Sequence, residues 1–153
     1  MIDHIVLNVR DLGRSRRFYA AALMPLGYRM AKELTAGVGF GVGPRADIWL
    51  WRRDPPVAGV HVALLCATRS MVDAFHVAAL AAGGRDNGAP GPRPIYHPDY
   101  YGAFILDPDG HNFEAVCHEP AAGAPAPRKA ARRRPAPGKR PSRKPEAGRR
   151  GRR

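Results

Sequence analysis

The sequence predicts an α+β fold built from two copies of one βαβββ unit. A short apolar run, a helix-like segment and three strand-like segments follow one another twice along the chain. Near their beginnings the copies align at a shift of 57 residues, which pairs Phe18 with Phe75 and Gly27 with Gly84. Near their ends the shift is 65 residues, so the second copy is longer by about eight. Internal repeats of this kind define the architecture of a chain.

The first copy is predicted to occupy residues 1–54. The apolar run from Ile2 to Val9 indicates a strand, and Asp11 can cap the helix that follows. Apolar and small residues then recur with helical spacing as far as Leu26, and Gly27 ends the helix. The remaining strands of this copy are predicted over residues 28–34, 37–42 and 47–53.

The second copy is predicted to occupy residues 57–119. A strand over residues 59–67 precedes a helix whose start, with Ser70 and Asp73, resembles a capping box. The last strands are predicted over residues 94–97, 101–106 and 112–118, with the Asp107–Gly110 turn between the final two. The extra residues of this copy are assigned to the stretch Asn87–Pro94, which we expect to be a surface loop or lid.

The net charge of +12 belongs to the C-terminal part of the chain. Residues 1–120 carry twelve basic and twelve acidic side chains, whereas residues 121–153 carry thirteen basic side chains and one acidic one. A nucleic-acid-binding domain carries its excess of basic residues on the folded part. Residues 1–120 have no such excess, so the charge does not favour this class of domain. Residues 120–153 are rich in Ala, Pro and Arg and are predicted to be a disordered tail. Such a tail either binds nucleic acid or anionic surfaces weakly or is a solubilising extension.

The two cysteines, Cys66 and Cys117, lie in apolar strand-like runs and are expected to be buried free thiols. This usage, together with an N-terminus that lacks the pattern of a signal peptide, predicts a cytoplasmic protein. The apolar runs are shorter than the roughly 20 residues that span a bilayer, so no membrane insertion is expected.

Three residues suggest a metal site. His4 and His61 occupy the same position in the two copies, and Glu114 lies within the last predicted strand. Two imidazoles and one carboxylate are the ligand set of iron(II) oxygenases, and they also suit zinc, nickel or manganese. We therefore predict that His4, His61 and Glu114 converge on a divalent ion and leave coordination positions open for substrate.

The same residues resemble those of a known family. Asp3-His4-Ile5-Val6-Leu7, then Val60-His61-Val62-Ala63, then the Asp107–Gly110 turn with Glu114 four residues later, are similar to the vicinal oxygen chelate superfamily of glyoxalases, bleomycin resistance proteins and extradiol dioxygenases. The resemblance covers about residues 1–119. It implies a half-open, eight-stranded mixed sheet around a concave cavity, with metal ligands on the first, fourth, fifth and eighth strands. Trp49 stands at the fourth-strand position and cannot ligate, which is unlike glyoxalase I.

The end of the domain is most similar to extradiol dioxygenases. His97 falls at the family's acid/base histidine, and Phe104 replaces the tyrosine that stands ten residues before the glutamate. The resemblance therefore implies that His97 and Tyr101 are catalytic, with Tyr101 or Tyr100 supplying the hydroxyl that Phe104 lacks. Trp49, Tyr100 and Phe104 are expected to bind the substrate.

Two function classes follow. The first is a metal-dependent enzyme, a lyase, isomerase or ring-cleaving dioxygenase, that binds two neighbouring oxygens of a small metabolite through Fe²⁺, Mn²⁺, Ni²⁺ or Zn²⁺. The second is a metal-free protein that sequesters a small molecule, with Trp49 and Trp51 stacked on it. Members of the superfamily often form homodimers, some with sites built across the interface, and a homodimer is an expected assembly here.

Overall fold

A computed structural model describes residues 2–55 and 59–121 of the chain. Module one contains β1 (Ile5–Val9), α1 (Leu12–Ala22), a 3₁₀ turn (Met24–Leu26), β2 (Arg29–Glu33), β3 (Gly37–Gly41) and β4 (Ile48–Arg52). Module two contains β5 (His61–Leu65), α2 (Arg69–Ala81), β6 (Arg85–Pro92), β7 (Tyr101–Leu106) and β8 (Asn112–Cys117). The predicted α+β class and the two βαβββ modules are confirmed.

The eight strands form two mixed sheets of four, in the orders β1-β4-β3-β2 and β5-β8-β7-β6. In each sheet the first strand pairs in parallel with the last, and the other pairings are antiparallel. The arrangement is half-open, as the resemblance implied, but β1 and β5 are edge strands of separate sheets and do not continue one eight-stranded sheet.

Each sheet has an inner face that packs on the helices and an outer face that does not. Both helices contact their own sheet and each other, so the inner faces enclose one core. Alternation along the strands directs Leu7 and Leu50 inward, while Val6 and Trp49 share the outer face because they are paired in register. The position of a candidate ligand or aromatic residue along its strand therefore decides whether its side chain lies on the inner or the outer face of the sheet.

The turn Asp107–Gly110 joins the modules. The buried hydroxyl of Tyr19, on α1, donates to Asp107 over 2.6 Å. Ser15 at the start of the same helix donates its hydroxyl to Asp109 over 3.0 Å. The turn of module two is thereby attached to α1 of module one by hydrogen bonds that are partly or fully buried.

The helix starts follow their capping residues. Asp11 caps α1, as predicted, by accepting the backbone N–H of Arg14 over 2.9 Å. The predicted capping box at Ser70 and Asp73 is wrong, since Thr68 caps α2 and the Asp73 carboxylate instead accepts the Tyr101 hydroxyl over 2.7 Å. Thr68 immediately precedes the first residue of α2, so its side chain can accept a backbone N–H of the first helical turn.

The predicted loop Asn87–Pro94 is mostly strand. Strand β6 extends to Pro92, with register irregularities around Gly88, and the segment 94–97 forms a turn where a strand was expected. Prolines fit β6 because it is an edge strand, where a missing N–H costs no ladder bond on the open side. The extra length of module two therefore lies in β6 and in the connection 93–100.

Residues 56–58 and 122–153 lie outside the described part of the chain, and with them most of the predicted tail. Cys66 and Cys117 are free and buried, as expected. Of the helices in the described residues, neither α1 nor α2 has the length and apolarity to cross a membrane.

Candidate functional site

The outer face of module two holds a buried carboxylate. Glu114 lies in the middle of β8 with only 2 % of its surface exposed. His61, on the neighbouring strand, donates from Nε2 to Oε2 of Glu114 over 3.0 Å, and the Tyr100 hydroxyl donates to Oε1. A buried carboxylate needs partners of this kind, and both of its oxygens have one.

The Tyr100 hydroxyl is held in its protonated form. Burial and the hydrogen bond to the Glu114 carboxylate raise the pKa of Tyr100 to about 12. At neutral pH Tyr100 therefore acts as a hydrogen-bond donor to Glu114 and keeps the carboxylate oriented. Gly102 leaves room for this contact, because a Cβ there would lie 3.0 Å from Oε1.

Aromatic rings surround the carboxylate. The His61 ring lies edge-on to Phe104, with centroids 6.1 Å apart, and the Arg93 guanidinium sits 5.7 Å from the Phe104 centroid. The Tyr100 ring is 5.1 Å from that of His118. These groups form a polar and aromatic cluster on one sheet face.

His97 lies at the margin of this cluster. Its ring is 6.0 Å from the ring of His118, and its Nδ1 accepts the backbone N–H of Asp99 over 3.1 Å. That hydrogen bond leaves Nε2 to carry the proton of the neutral ring.

The outer face of module one is apolar by comparison. His4 precedes β1 and borders a pocket of about 210 Å³ whose other lining residues are Val6, Leu34, Trp49 and Trp51. The Nδ1 atom of His4 is 2.8 Å from the Asp3 carboxylate, which Arg45 also contacts over 2.7 Å. Both partners lower the pKa of Asp3, with the hydrogen bond to His4 as the main cause.

The predicted convergence of three ligands within one chain is corrected. Across residues 2–55 and 59–121, no group of three or more His, Cys, Asp or Glu side chains is placed to hold a metal ion. His61 and Glu114 meet, whereas His4 lies on the outer face of the other module. The cause is the division of the strands into two sheets, which separates the repeat-related histidines.

The catalytic assignment of Tyr101 is also corrected. In β7 it alternates with Phe104, so its side chain lies on the helix side of the sheet. Its hydroxyl donates to Asp73 of α2, and the Arg69 guanidinium lies 5.1 Å from its ring centroid. Of the two tyrosines proposed to replace the hydroxyl missing at Phe104, only Tyr100 reaches the Glu114 carboxylate.

Two contacts could not be found by sequence reasoning. The Tyr100–Glu114 hydrogen bond depends on how the connection 93–100 folds back on β8, and no periodicity reports that. The same connection brings the ring of Tyr100 to 5.1 Å from the ring of His118, which lies four residues beyond Glu114 on the same face. Strand parity was the available signal for His118, since it alternates onto the face of Glu114.

A family model for the Glyoxalase/Bleomycin resistance protein/Dioxygenase superfamily matches residues 1–115, which hold both modules up to and including Glu114. The chain belongs to this superfamily. No curated protein matches the sequence. The earlier inference from the two histidine motifs, the Asp107–Gly110 turn and Glu114 is thus confirmed at the level of the family.

Solved structures share the fold of this superfamily member. A glyoxalase/bleomycin resistance protein from Albidiferax ferrireducens T118 is 26 % identical, with a TM-score of 0.66 over 75 % of this chain and 96 % of that one. A hypothetical protein of S. aureus is 26 % identical, with a TM-score of 0.57 over 74 % and 94 %. The fosfomycin resistance protein FosX of Mesorhizobium loti is 18 % identical, with a TM-score of 0.56 over 76 % and 91 %, and shows the fold alone.

Proposed function

We propose that this protein is a divalent-metal-dependent enzyme of the superfamily that acts on a small oxygenated molecule, with its metal held between two copies of the chain. The observation that carries the proposal is the pair formed by His61 and the buried Glu114 on the outer face of module two. In the proposed assembly His4 of a second copy completes the ligand set.

The His61–Glu114 pair fits two ligands of one ion. Its Nε2–Oε2 distance is 3.0 Å. Ligand atoms bound at about 2.0–2.2 Å to one ion lie roughly 2.8–3.6 Å from each other, depending on the coordination angle. An ion would therefore replace the proton between the two atoms with little movement of either side chain.

The residues around the pair support the same role. Tyr100 donates to the other oxygen of Glu114 and would orient this ligand, as outer hydrogen bonds do in metal sites. The contact between Nδ1 of His4 and Asp3 leaves Nε2 of His4 to present its lone pair to an ion. Two ligands alone do not make a stable site, so the third must come from elsewhere.

The edges of the sheets offer a way to join two copies. β1 and β5 are both edge strands, and each carries an exposed apolar residue on its outer face, Val6 and Leu65. Unpaired edges of this kind favour pairing with another chain. If β1 of one copy lies beside β5 of the other, His4 approaches His61 and Glu114.

A bound divalent ion would chelate two neighbouring oxygens of the substrate and stabilise the negative charge that develops on them. The chain's own residues would orient the metal ligand and exchange a proton with the substrate. Tyr100 keeps Glu114 in place, and Nε2 of His97 is the proposed site from which a proton is exchanged with the substrate. The reaction types included in the proposal are isomerisation, lyase chemistry and ring cleavage by dioxygen.

Complementation between variants tests the shared site. We expect a homodimer of His4→Ala and a homodimer of Glu114→Ala each to lose bound metal, because each substitution removes one ligand from both metal sites of the dimer. A refolded equal mixture should recover about a quarter of the wild-type metal content, since half of the dimers are mixed and each holds one intact site. Elemental analysis after loading with iron(II), manganese, nickel or zinc is the measurement.

The control is a mixture of His61→Ala with Glu114→Ala. These two variants cannot complement each other, because both substituted ligands come from module two of the same copy. Recovery in both mixtures, or in neither, would contradict a site shared between copies. If wild-type protein binds none of the four metals above the Glu114→Ala background, the metal-dependent enzyme is excluded.

The second candidate is metal-free sequestration of a small molecule. The specific observation in its favour is that both oxygens of the buried Glu114 carboxylate already have donors, His61 and Tyr100, without an ion. Retained ligand binding by protein that holds no metal would favour it over the enzyme.

A further inference from the structure

The outer face of module one carries an unusual pairing of glycines with indoles. On β3 the residues Gly37 and Gly39 are paired in register with Trp51 and Trp49 on β4. A Cβ at Gly39 would lie 2.5 Å from Cβ of Ala46 and 3.1 Å from both Cδ2 and Cε2 of Trp49, the two atoms shared by its rings. A Cβ at Gly37 would lie 2.5 Å from Cε3 of Trp51.

These distances show how the rings lie. A point equidistant from the two fusion atoms is above the face of the Trp49 indole, so this ring lies flat against the backbone of β3. A side chain at Gly39 would collide with Ala46 and crowd this face of the indole as well. The strand therefore supports one face of the Trp49 indole, and Trp49 is also one of the residues that line the pocket.

The pocket above the rings is small and apolar. Its volume is about 210 Å³, and Val6 and Leu34 line it beside the two tryptophans, with His4 at its border. Drug-sized ligands occupy larger pockets, of roughly 300–1,000 Å³. A ligand portion of one or two rings is therefore the size that this space admits.

Comparison of the two modules shows that the pairing of glycine with tryptophan occurs in module one and is replaced by other residues in module two. At a shift of 65 residues Gly39 corresponds to Phe104 and Trp49 to Glu114. Phe104 and Glu114 are likewise paired in register, so the two modules hold different side chains on one backbone plan. One outer face presents aromatic faces and the other presents a carboxylate with its donors.

We infer that Trp49 and Trp51 form a stacking platform, the indole platform, for a planar aromatic or conjugated part of the substrate. This inference rests on the proposed function for the rest of the ligand, whose oxygens would lie toward His4. Stacking on a supported ring favours flat π systems, because offset face-to-face contact adds attraction that a saturated ring of equal size lacks. The expected substrate is thus an oxygenated molecule of one or two planar rings.

The chain is suited to a direct test, because Trp49 and Trp51 are its only tryptophans. Full-length ¹⁵N-labelled protein shows two indole N–H signals, which Trp49→Phe and Trp51→Phe assign. The probes are 2-naphthol and its saturated counterpart decahydro-2-naphthol, with affinities from calorimetry. We expect 2-naphthol to shift both indole signals to saturation and to bind about three- to tenfold more tightly than the saturated compound.

Variants separate stacking from general apolar burial. Trp49→Leu should reduce the preference for the planar probe to near unity, whereas Val77→Ala, at an exposed position of α2, should leave it unchanged. Gly37→Ala, whose Cβ would lie 2.5 Å from Cε3 of Trp51, should displace this ring and reduce the preference while both tryptophans remain. If Gly37→Ala fails to fold, Trp51→Leu provides the second measurement.

The inference is overturned if 2-naphthol does not bind, if it binds without moving the indole signals, or if the two probes bind equally well. These results are distinguishable from failure of the metal site. Glu114→Ala should lose metal and keep the planar preference, and Trp49→Leu should lose the preference and keep metal.

Discussion

The two modules are alike on their inner faces and different on their outer ones. Phe18 and Phe75 are equivalent in the repeat, and both are fully buried between helix and sheet. On the outer faces, the pair Gly39–Trp49 in module one corresponds to Phe104–Glu114 in module two. The shared core constrains the inner residues, whereas the outer positions are free to take different chemistry.

In the proposed assembly the duplicated unit supplies two unlike halves of one site. Module two offers a buried carboxylate held by His61 and Tyr100. Module one offers His4 beside apolar rings. A cavity that joins the two faces would therefore have a polar side that binds oxygen and an apolar side that binds a ring.

The largest effect is expected from making the outer faces alike. Trp49→Glu places a carboxylate at the position equivalent to Glu114, where the resemblance to the superfamily implies a metal ligand on the fourth strand. We expect the affinity for divalent metal to rise by about tenfold or more, because a further anionic ligand joins the ion. Competition against a chelating dye measures the change.

Trp51→Glu is the matched control, since it places a carboxylate on the same face two residues further along β4. That displacement is about 6.6 Å along the strand, too far to share the ion. Equal gains in both variants would mean that added negative charge, not ligation, accounts for the effect.

The next effect concerns the contact between the modules. Tyr19→Phe removes the buried hydroxyl that donates to Asp107 and leaves that carboxylate short of a donor. We expect a loss of about 1–3 kcal/mol in the free energy of unfolding. Thermal and urea denaturation measure it, and Tyr96→Phe, at an exposed position, should change stability little. An unchanged free energy of unfolding in Tyr19→Phe would show that this hydrogen bond does not help to hold the modules together.

A smaller effect is expected from Tyr100 at alkaline pH. Its pKa rises from 10.0 to about 12 on folding, so the protonated form is favoured in the folded state. The associated stability is complete below pH 10 and is lost as pH rises through about 12. Wild-type protein should therefore lose more stability between pH 10 and 12 than Tyr100→Phe does.

The comparison with Tyr100→Phe is needed because other groups titrate in the same range. Burial raises the pKa of Cys66 to about 11, and burial and Asp107 raise the pKa of Tyr19. Parallel stability curves for wild type and Tyr100→Phe would assign the alkaline loss to those groups instead.

The smallest effect is expected from removing residues 122–153. Their composition offers few apolar groups for burial, so the melting temperature of the remaining chain should change by less than about 1 °C. Differential scanning calorimetry measures this. A shift of several degrees would show that this segment contacts one of the modules. Any binding to nucleic acid should be lost with the deletion and weaken steeply with salt.

Much of the fold could be predicted because its signals are local. Asp11 at a helix start, the alternation of β8 and the turn at Asp107–Gly110 each act within a few residues. The errors arose where local signals were ambiguous. Glycine and proline between Asn87 and Pro92 indicated a loop, yet an edge strand accepts both residues.

The sequence suggested candidate site residues but not which of them meet. The sequence alone determined the two modules and the superfamily. Only the tertiary structure decided that His61 meets Glu114 while His4 stays on the other module, and that Tyr100 rather than Tyr101 reaches the carboxylate. The reason is physical: periodicity reports which face of a strand a side chain occupies, whereas contacts between sheets and connections depend on how distant segments pack.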